Sequence, residues 1–294
     1  MSVFVATNLA DVLRALGESP DAVFMAGGTD LMVEFNSGAP RSRQMTSIIS
    51  INRVTELASW RFDPATSTLR IGAGVRWAEI ERAPIAGWVP ALASAARTVG
   101  SPQIRQAGTI GGNLGTSSPA GDGLPVLAAL EAIVHVVSAA GERDIPFAEF
   151  MVGPKRNSLQ RGELITGVTV PVLPGHEDGA NWGWQGYAKV GVRNAMVISA
   201  AGVALVADAT QRSVRVALGS VGPTILRAPE CERFVSEHCD FGSQSLSEAN
   251  LKEAAALAAS AASPITDHRS TAEYRRHAVG VLTGRLLRRA FPNG

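Results

Sequence analysis

The chain has 294 residues, 46% of them apolar, and 27 Lys plus Arg offset 26 Asp plus Glu for a formal net charge of +1. This length and apolar content predict about two packed domains, and the balanced charge argues against a protein that coats nucleic acid or seeks a membrane surface. No apolar run approaches the ~18 residues of a membrane span, and two cysteines are too few for an iron–sulfur or zinc site.

The first part of the chain alternates helical and strand-like segments. Leu9, Val12, Leu13 and Leu16 lie at helical spacing, and Asn8 is a suitable N-cap, so a helix is predicted there. Short apolar runs rich in β-branched residues predict strands. In chain order, the further predicted elements are strands at 22–26, 47–51 and 69–75, a short helix from Trp77, a helix at 91–99, a polar loop, a helix at 124–130 and strands at 134–137 and 164–170.

A domain boundary is predicted between Pro171 and Trp184, where VPVLPGHEDGANW collects Pro, Gly and acidic residues. Beyond it, antiparallel strands are predicted at 187–190, 198–206 and 214–218, with a hairpin turn at 208–212. The fold class is therefore α+β. It consists of a two-lobed N-terminal region (roughly 1–55 and 56–175) and a smaller C-terminal domain of antiparallel sheet and helices (181–294).

Two helices are predicted to close the chain. Ser245 with Glu248, and Ser270 with Glu273, form capping-box patterns that mark their first residues. On the last helix, helical spacing predicts one buried apolar face, formed by Tyr274, Ala278, Val281 and Leu282.

Two glycine-rich segments carry most of the chemical information, Ala26–Leu31 (AGGTDL) and 108–113 (GTIGGN). Paired glycines allow positive φ and close approach of a ligand, and their N–H groups can form an anion site. Either segment alone is as readily a plain turn, but two such Thr-containing segments favour a diphosphate cradle. Neither segment fits G-x-G-x-x-G or the P-loop, which argues against a Rossmann NAD site and a nucleotide triphosphatase.

A third candidate is Asp122, which ends the segment SPAGD nine residues after Asn113. Its carboxylate can accept hydrogen bonds from ribose hydroxyls, as acidic groups do in dinucleotide sites. The alternative is an N-cap for the helix that follows, and one residue can serve both purposes.

These residues also carry a family resemblance. AGGTDL, TIGGN with SPAGD, GPKRNSLQRGELITGVTVP, GYAKVGVRNAMVISAAGVAL, GSVGPTILRAPECE and STAEYRRHAVGVL occur in that order over essentially the whole chain. The chain resembles the FAD-binding medium subunit of the molybdenum hydroxylases, the family of xanthine dehydrogenase and aerobic carbon monoxide dehydrogenase. The resemblance implies a flavin domain of the p-cresol methylhydroxylase type, with FAD between two lobes, followed by the family's C-terminal flavoprotein domain.

The resemblance also implies which positions contact FAD. The implied diphosphate contacts are Ala26, Gly27, Gly28, Thr29, Asp30, Leu31, Thr109, Ile110, Gly111, Gly112 and Asn113. The other implied contacts are Gly115 and Thr116 near the flavin ring, Asp122 near the ribose and adenine, Leu164 or Ile165 against the adenine, Tyr187 over the isoalloxazine and Lys189 near the cofactor. Many relatives have a bulky aliphatic residue in place of Gly115, which leaves the packing around the ring open. Tyr187 is nearly as well explained as an interior-facing strand residue.

Other candidate groups are less informative. The five histidines, among them His135, His176 and His238, offer no metal set, and His238 beside Cys239 is a poor nucleophile pair because adjacent side chains diverge. Trp182 and Trp184 are either interface anchors or core residues.

The leading functional hypothesis follows from the resemblance: an electron-transfer subunit that binds FAD noncovalently and contains no substrate acid or base. The implied partners are a large subunit with the molybdenum cofactor and a small subunit with two [2Fe-2S] clusters, assembled as a dimer of heterotrimers. Because no signal peptide or span is evident, the expected location is the cytoplasm. The alternatives are a free-standing flavin oxidase acting on a small alcohol or amine, and a binding module whose flavin loops have decayed.

Overall fold

A computed structural model describes residues 1–39, 43, 45–175, 179–193 and 196–294, so His176 lies outside the described residues. The first lobe contains β1 (Ser2–Val5), α1 (Leu9–Glu18), β2 (Val23–Met25), α2 (Leu31–Asn36) and β3 (Ser47–Ser50). Its three strands form a parallel sheet in the order β1-β3-β2. The Asn8 cap is confirmed, because its side-chain oxygen accepts the Asp11 N–H at 2.8 Å.

The second lobe is built on a five-stranded antiparallel sheet in the order β4-β5-β10-β6-β7. Its strands are β4 (Trp60–Asp63), β5 (Thr68–Gly72), β6 (Ile133–Ser138), β7 (Gly141–Pro146) and β10 (Leu164–Pro171), and a separate hairpin joins β8 (Met151–Gly153) to β9 (Arg156–Asn157). Its helices are α3 (Trp77–Ile80), α4 (Ile85–Trp88), α5 (Pro90–Thr98), α6 (Pro102–Ala107), α7 (Ile110–Thr116), α8 (Gly123–Ala129) and α9 (Phe147–Phe150).

The segment predicted as a polar loop before Asp122 contains two short helices, α6 and α7, so that prediction is wrong. Each helix has a side-chain cap: Ser101 accepts the Ile104 N–H at 3.3 Å, and Thr109 accepts the Gly112 N–H at 3.0 Å. Proline at the first position of α6 suits a helix start as well. These caps outweigh the poor helix propensity of the glycines.

The C-terminal domain is a four-stranded antiparallel sheet with three helices on one face. Its elements are β11 (Gly183–Val190), β12 (Ala201–Asp208), β13 (Ser213–Gly219), β14 (Leu226–Arg227), α10 (Pro229–His238), α11 (Glu248–Ala261) and α12 (Ala272–Ala290). Strand β12 is buried along its whole length, because one sheet face packs on α10–α12 and the other joins the second-lobe core. The architecture is therefore α+β, as predicted.

Both predicted capping boxes are misplaced. Ser245 pairs with Asp240 and Ser270 with Asp267 in isolated β-bridges, so neither serine can act as a cap. The helices begin after Ser247 and Thr271 instead, whose hydroxyls accept the N–H groups three residues on.

The last helix also buries a different face from the one predicted. Ala278 and Leu282 are buried as expected, but Tyr274 is 48% and Val281 38% exposed. The buried face instead includes Arg275, a charged residue that a search for apolar positions passes over.

Trp182 is a core residue and not an interface anchor. It is fully buried, its indole N–H donates to the Phe241 carbonyl at 2.7 Å, and its ring packs on Phe241 and Phe291. Trp184 is partly buried against the same core. Along the described ranges, no helix is both long and apolar enough to cross a membrane.

Arg275 ties α12 to the loops around the sheet. Its guanidinium donates to the carbonyls of Ala200 and Ser220, both at 2.8 Å, and to Asp267 at 2.7 Å. We expect Arg275→Met to lower the free energy of unfolding by about 3 kcal/mol or more, because these acceptors lose their donor inside the protein. Arg276→Met, at the exposed neighbouring position, is the control and should change it by less than about 0.5 kcal/mol. Urea unfolding measures both variants; equal losses would contradict this role.

Candidate cofactor site

The two glycine segments lie against each other across the junction between the lobes. A Cβ built on Gly27 would stand 1.9 Å from the Ala107 carbonyl oxygen, so only glycine permits this approach. Further along, the Thr116 hydroxyl donates to the Asp30 carboxylate at 3.3 Å. Residues that are about 80 positions apart in sequence thus form the two sides of one groove.

The first segment presents a row of hydrogen-bond donors. Gly28 has φ +69°, in the left-handed region. Within the described residues, the backbone N–H groups of Gly27, Gly28, Thr29 and Asp30, and the Thr29 hydroxyl, donate to no protein acceptor. Successive free N–H groups around a positive-φ glycine form an anion-binding concavity. This segment fits the diphosphate of FAD.

In the second segment most N–H groups are engaged within the protein, and its contact with the diphosphate remains a prediction. The Ile110 N–H donates to Val75 at 3.0 Å and the Gly111 N–H to Ala73 at 2.9 Å. Ile110 is fully buried, and a Cβ on Gly111 would stand 2.5 Å from that of Ala73. The side of α7 that carries Ile110 and Gly111 therefore packs against the lobe.

The other side of α7 is open. A Cβ on Gly115 would have no atom within 4 Å, and one on Gly112 would meet only the Thr109 hydroxyl, at 3.2 Å. Residues three apart share a helix face, so these glycines form a smooth strip that lets a planar or extended ligand lie close to the backbone. The buried side-chain oxygen of Asn113 has no hydrogen-bond partner among the described residues, a second feature that suits a ligand.

The hairpin β8–β9 closes the far end of the groove, and sequence reasoning missed it. Asn157 donates to the Gly115 carbonyl at 3.1 Å. Lys155 lies 3.1 Å from Glu34 and 3.6 Å from Asp30, so it links this hairpin of the second lobe to the first. Both residues belong to GPKRN, which was part of the resemblance but was not assigned a role.

Asp122 lies at the centre of a buried polar cluster. Its carboxylate accepts from the Lys189 ammonium at 2.6 Å, the Thr98 hydroxyl at 3.0 Å and the Tyr187 hydroxyl at 3.1 Å. The side chains of Asp122 and Lys189 are 7% and 9% exposed. Burial raises the pKa of Asp122, while the adjacent ammonium opposes that rise. Burial and the Asp122 carboxylate raise the pKa of Tyr187 well above its ordinary value.

The structure bears on the roles that the sequence left open for Asp122, Tyr187 and the pair Leu164 and Ile165. Asp122 stands at the N-cap position of α8, as predicted, but its side chain makes no capping hydrogen bond. Tyr187 packs against the second-lobe core and its hydroxyl donates to Asp122, as the interior-facing alternative predicts. Its contact with the isoalloxazine remains a prediction. Leu164 and Ile165 are buried in separate cores and offer little surface to an adenine ring, so their contact with it remains a prediction. Thr98 was missed, although it is a polar residue at the end of an Ala-rich helix.

The remaining candidate groups do not form a second site. Burial raises the pKa of Cys231 to about 12 and that of Cys239 to about 11, so both thiols stay protonated at neutral pH. His135 bridges Asp144 and Thr169 at 2.6 and 2.7 Å. Among the residues that the structure describes, no three His, Cys, Asp or Glu side chains gather around a metal-sized space.

Comparisons with known proteins place this geometry in context. Residues 1–173 match the family model described as the FAD binding domain in molybdopterin dehydrogenase, and residues 187–290 match the CO dehydrogenase flavoprotein C-terminal domain. The chain is 32% identical to the glyceraldehyde dehydrogenase medium chain of Sulfolobus acidocaldarius, over 95% of this chain and 94% of that one. It is 31% identical to the nicotine 6-hydroxylase medium subunit of Paenarthrobacter nicotinovorans, over 95% and 93%.

Among solved structures, a carbon monoxide dehydrogenase from Hydrogenophaga pseudoflava superposes with a TM-score of 0.86 at 26% identity. The match covers 99% of this chain and 97% of that one, so the likeness extends through both lobes and the C-terminal domain.

The different surroundings of the glycines on α7 yield a test. We expect Gly112→Val to weaken FAD binding at least tenfold, about 1.4 kcal/mol, because its side chain fills the open strip, while the apo chain melts within a few degrees of the parent. Gly111→Val, the comparison variant, should lower the melting temperature even without FAD, because it overlaps Ala73. Fluorescence titration with FAD and thermal unfolding measure the two effects; full FAD affinity in Gly112→Val would contradict the placement.

Proposed function

The chain belongs to the FAD-binding subunits of the molybdopterin dehydrogenases, the molybdenum hydroxylases, and from that membership we propose how its residues hold FAD and which partners it serves. FAD, when bound, supplies the redox chemistry of this subunit and passes electrons from iron–sulfur clusters to an external acceptor. The protein binds, orients and shields the cofactor.

The observation that carries the proposed site is the groove between Gly27–Asp30 and the strip of Gly112 and Gly115. The free N–H groups on one side of this groove suit a diphosphate, and the glycine strip on the other admits the cofactor at backbone distance. Lys155 provides a positive charge at the end of the groove that offsets Asp30 and Glu34.

Outside this groove, we propose that the cluster of Asp122 and Lys189 contacts the sugar or ring portion of FAD. An ammonium has three N–H donors; one of those on Lys189 bonds Asp122 and another the Thr98 carbonyl, at 3.1 Å. The third has no acceptor among the described residues and is available to the cofactor. Because Lys189 lies on β11, we propose that the domain 181–294 completes a site begun by the domain 1–175.

The partners follow from what the sequence lacks. Two cysteines cannot ligate a single [2Fe-2S] cluster, and both are buried and free. The clusters and the molybdenum cofactor therefore belong to a small and a large partner subunit, and we propose a dimer of such heterotrimers. Unpaired cysteines suit a reducing compartment, which supports a cytoplasmic complex.

We expect FAD to be held noncovalently, since no histidine or cysteine belongs to the proposed groove. Acid precipitation of the purified chain should release the flavin into the supernatant, where its absorbance can be measured. Colour that stays with the precipitate would contradict noncovalent binding, and a colourless native chain that also fails to take up added FAD would support the binding module with decayed flavin loops.

If the chain transfers electrons within a complex, reduction of its flavin by the organic substrate should require both partner subunits. Dithionite should bleach the flavin of the isolated chain, whereas the organic substrate of the complex should do so only after the small and large subunits are added. Stopped-flow absorbance at the flavin band follows both reactions. Rapid bleaching of the isolated chain by an organic substrate would contradict the electron-transfer role and favour the free-standing flavin oxidase.

A further inference from the structure

Thr98 is the one residue of the described chain that hydrogen-bonds both members of the buried Asp122–Lys189 ion pair. Its hydroxyl lies 3.0 Å from the Asp122 carboxylate and 2.8 Å from the Ala95 carbonyl oxygen, so its one proton is shared between these two acceptors. Its carbonyl oxygen lies 3.1 Å from the Lys189 ammonium. We propose that Thr98 is a positioning residue that fixes the orientation of this pair toward FAD. The inference rests on the proposed function, because it takes Asp122 and Lys189 as part of the FAD site.

The pair needs such a residue because it is buried. Two charges withdrawn from water are stable only when their remaining donors and acceptors are also satisfied in good geometry. Lys189 and Tyr187 both come from β11, on one side of Asp122. Thr98 lies on α5, on the other side of Asp122. It therefore gives the carboxylate a hydrogen bond from the domain to which Asp122 itself belongs.

The place of Thr98 on α5 explains how one residue serves both charges. It is the last residue of the helix Pro90–Thr98, so its carbonyl lies among those without an intrahelical N–H partner. The Lys189 ammonium takes this acceptor, and a cation is favourable at the negative end of a helix dipole. The same residue's side chain then points at the carboxylate that the ammonium pairs with.

Thr98 also fixes which ammonium proton remains for a ligand. With one N–H of Lys189 held by Asp122 and another by the Thr98 carbonyl, the direction of the third is set. Loss of the hydroxyl leaves the carboxylate with two partners and lets it rotate. The consequence should be weaker and less specific FAD binding in a chain that still folds.

The test uses the full chain, freed of flavin and titrated with FAD. Thr98→Val removes the hydroxyl at nearly constant volume, and we expect the dissociation constant for FAD to rise at least tenfold. Thr98→Ser keeps the hydroxyl and should stay within about threefold of the parent. Thr283→Val is the matched control, because Thr283 is fully buried with no hydrogen-bond partner among the described residues, and it should leave FAD binding unchanged.

The visible absorption band of the bound flavin gives a second readout, which should shift in Thr98→Val and not in Thr98→Ser. If Thr98→Val does not fold, Thr98→Ala removes the same hydroxyl without putting a methyl group in its place. Parental affinity in the Val or Ala variant, or a loss in Thr98→Ser as large as in Thr98→Val, would overturn the proposal.

An Asp122→Asn background separates positioning from a direct contact of Thr98 with FAD. If Thr98 acts through the carboxylate, the Val substitution should cost much less affinity there than in the parent. Equal losses in both backgrounds would overturn the proposal. A parent chain that binds no FAD would instead contradict the proposed function, whereas normal FAD binding with an unaffected Thr98→Val overturns only this inference.

Discussion

A charged carboxylate inside a protein must be surrounded by donors, and Asp122 imposes this requirement on two separate parts of the chain. Its partners come from the end of α5 and from β11, so the helix and the strand must dock where Asp122 lies. The cost of leaving such a charge unpaired is several kcal/mol. A contact that helps to hold the C-terminal sheet against the second lobe, beside the shared apolar core, is thus also the one that arranges the candidate cofactor groups.

The glycines show how one residue type serves two purposes within a few positions. Gly27 and Gly111 bring backbone against backbone inside the protein, and any side chain there would overlap a neighbour. Gly112 and Gly115 have open space beside them and leave a surface free. The first pair builds the groove, and the second pair keeps it accessible to a cofactor.

Sequence reasoning reached the local features and missed those that depend on distant partners. The start of α1 was predictable because Asn8 caps it within four residues. The bond between Asp122 and Lys189 spans 67 positions, and no local pattern indicates it. The role of each glycine was equally hidden, because the residue that each one packs against is far away in sequence. Gly27 meets Ala107, and Gly111 meets Ala73. The family resemblance predicted the cofactor, FAD. The different surroundings of the individual glycines became visible only in the structure.

The span between Asp122 and Lys189 has a consequence for biosynthesis. Chains are made from the N-terminus at about 5–20 residues per second, so Asp122 leaves the ribosome about 3–13 s before Lys189, given their separation of 67 positions. During that interval the carboxylate has no ammonium to pair with, and the second lobe cannot close over it in its final form. In a nascent chain stalled before β11 the proposed cofactor site therefore lacks Lys189, and the unpaired Asp122 leaves that chain incompletely folded.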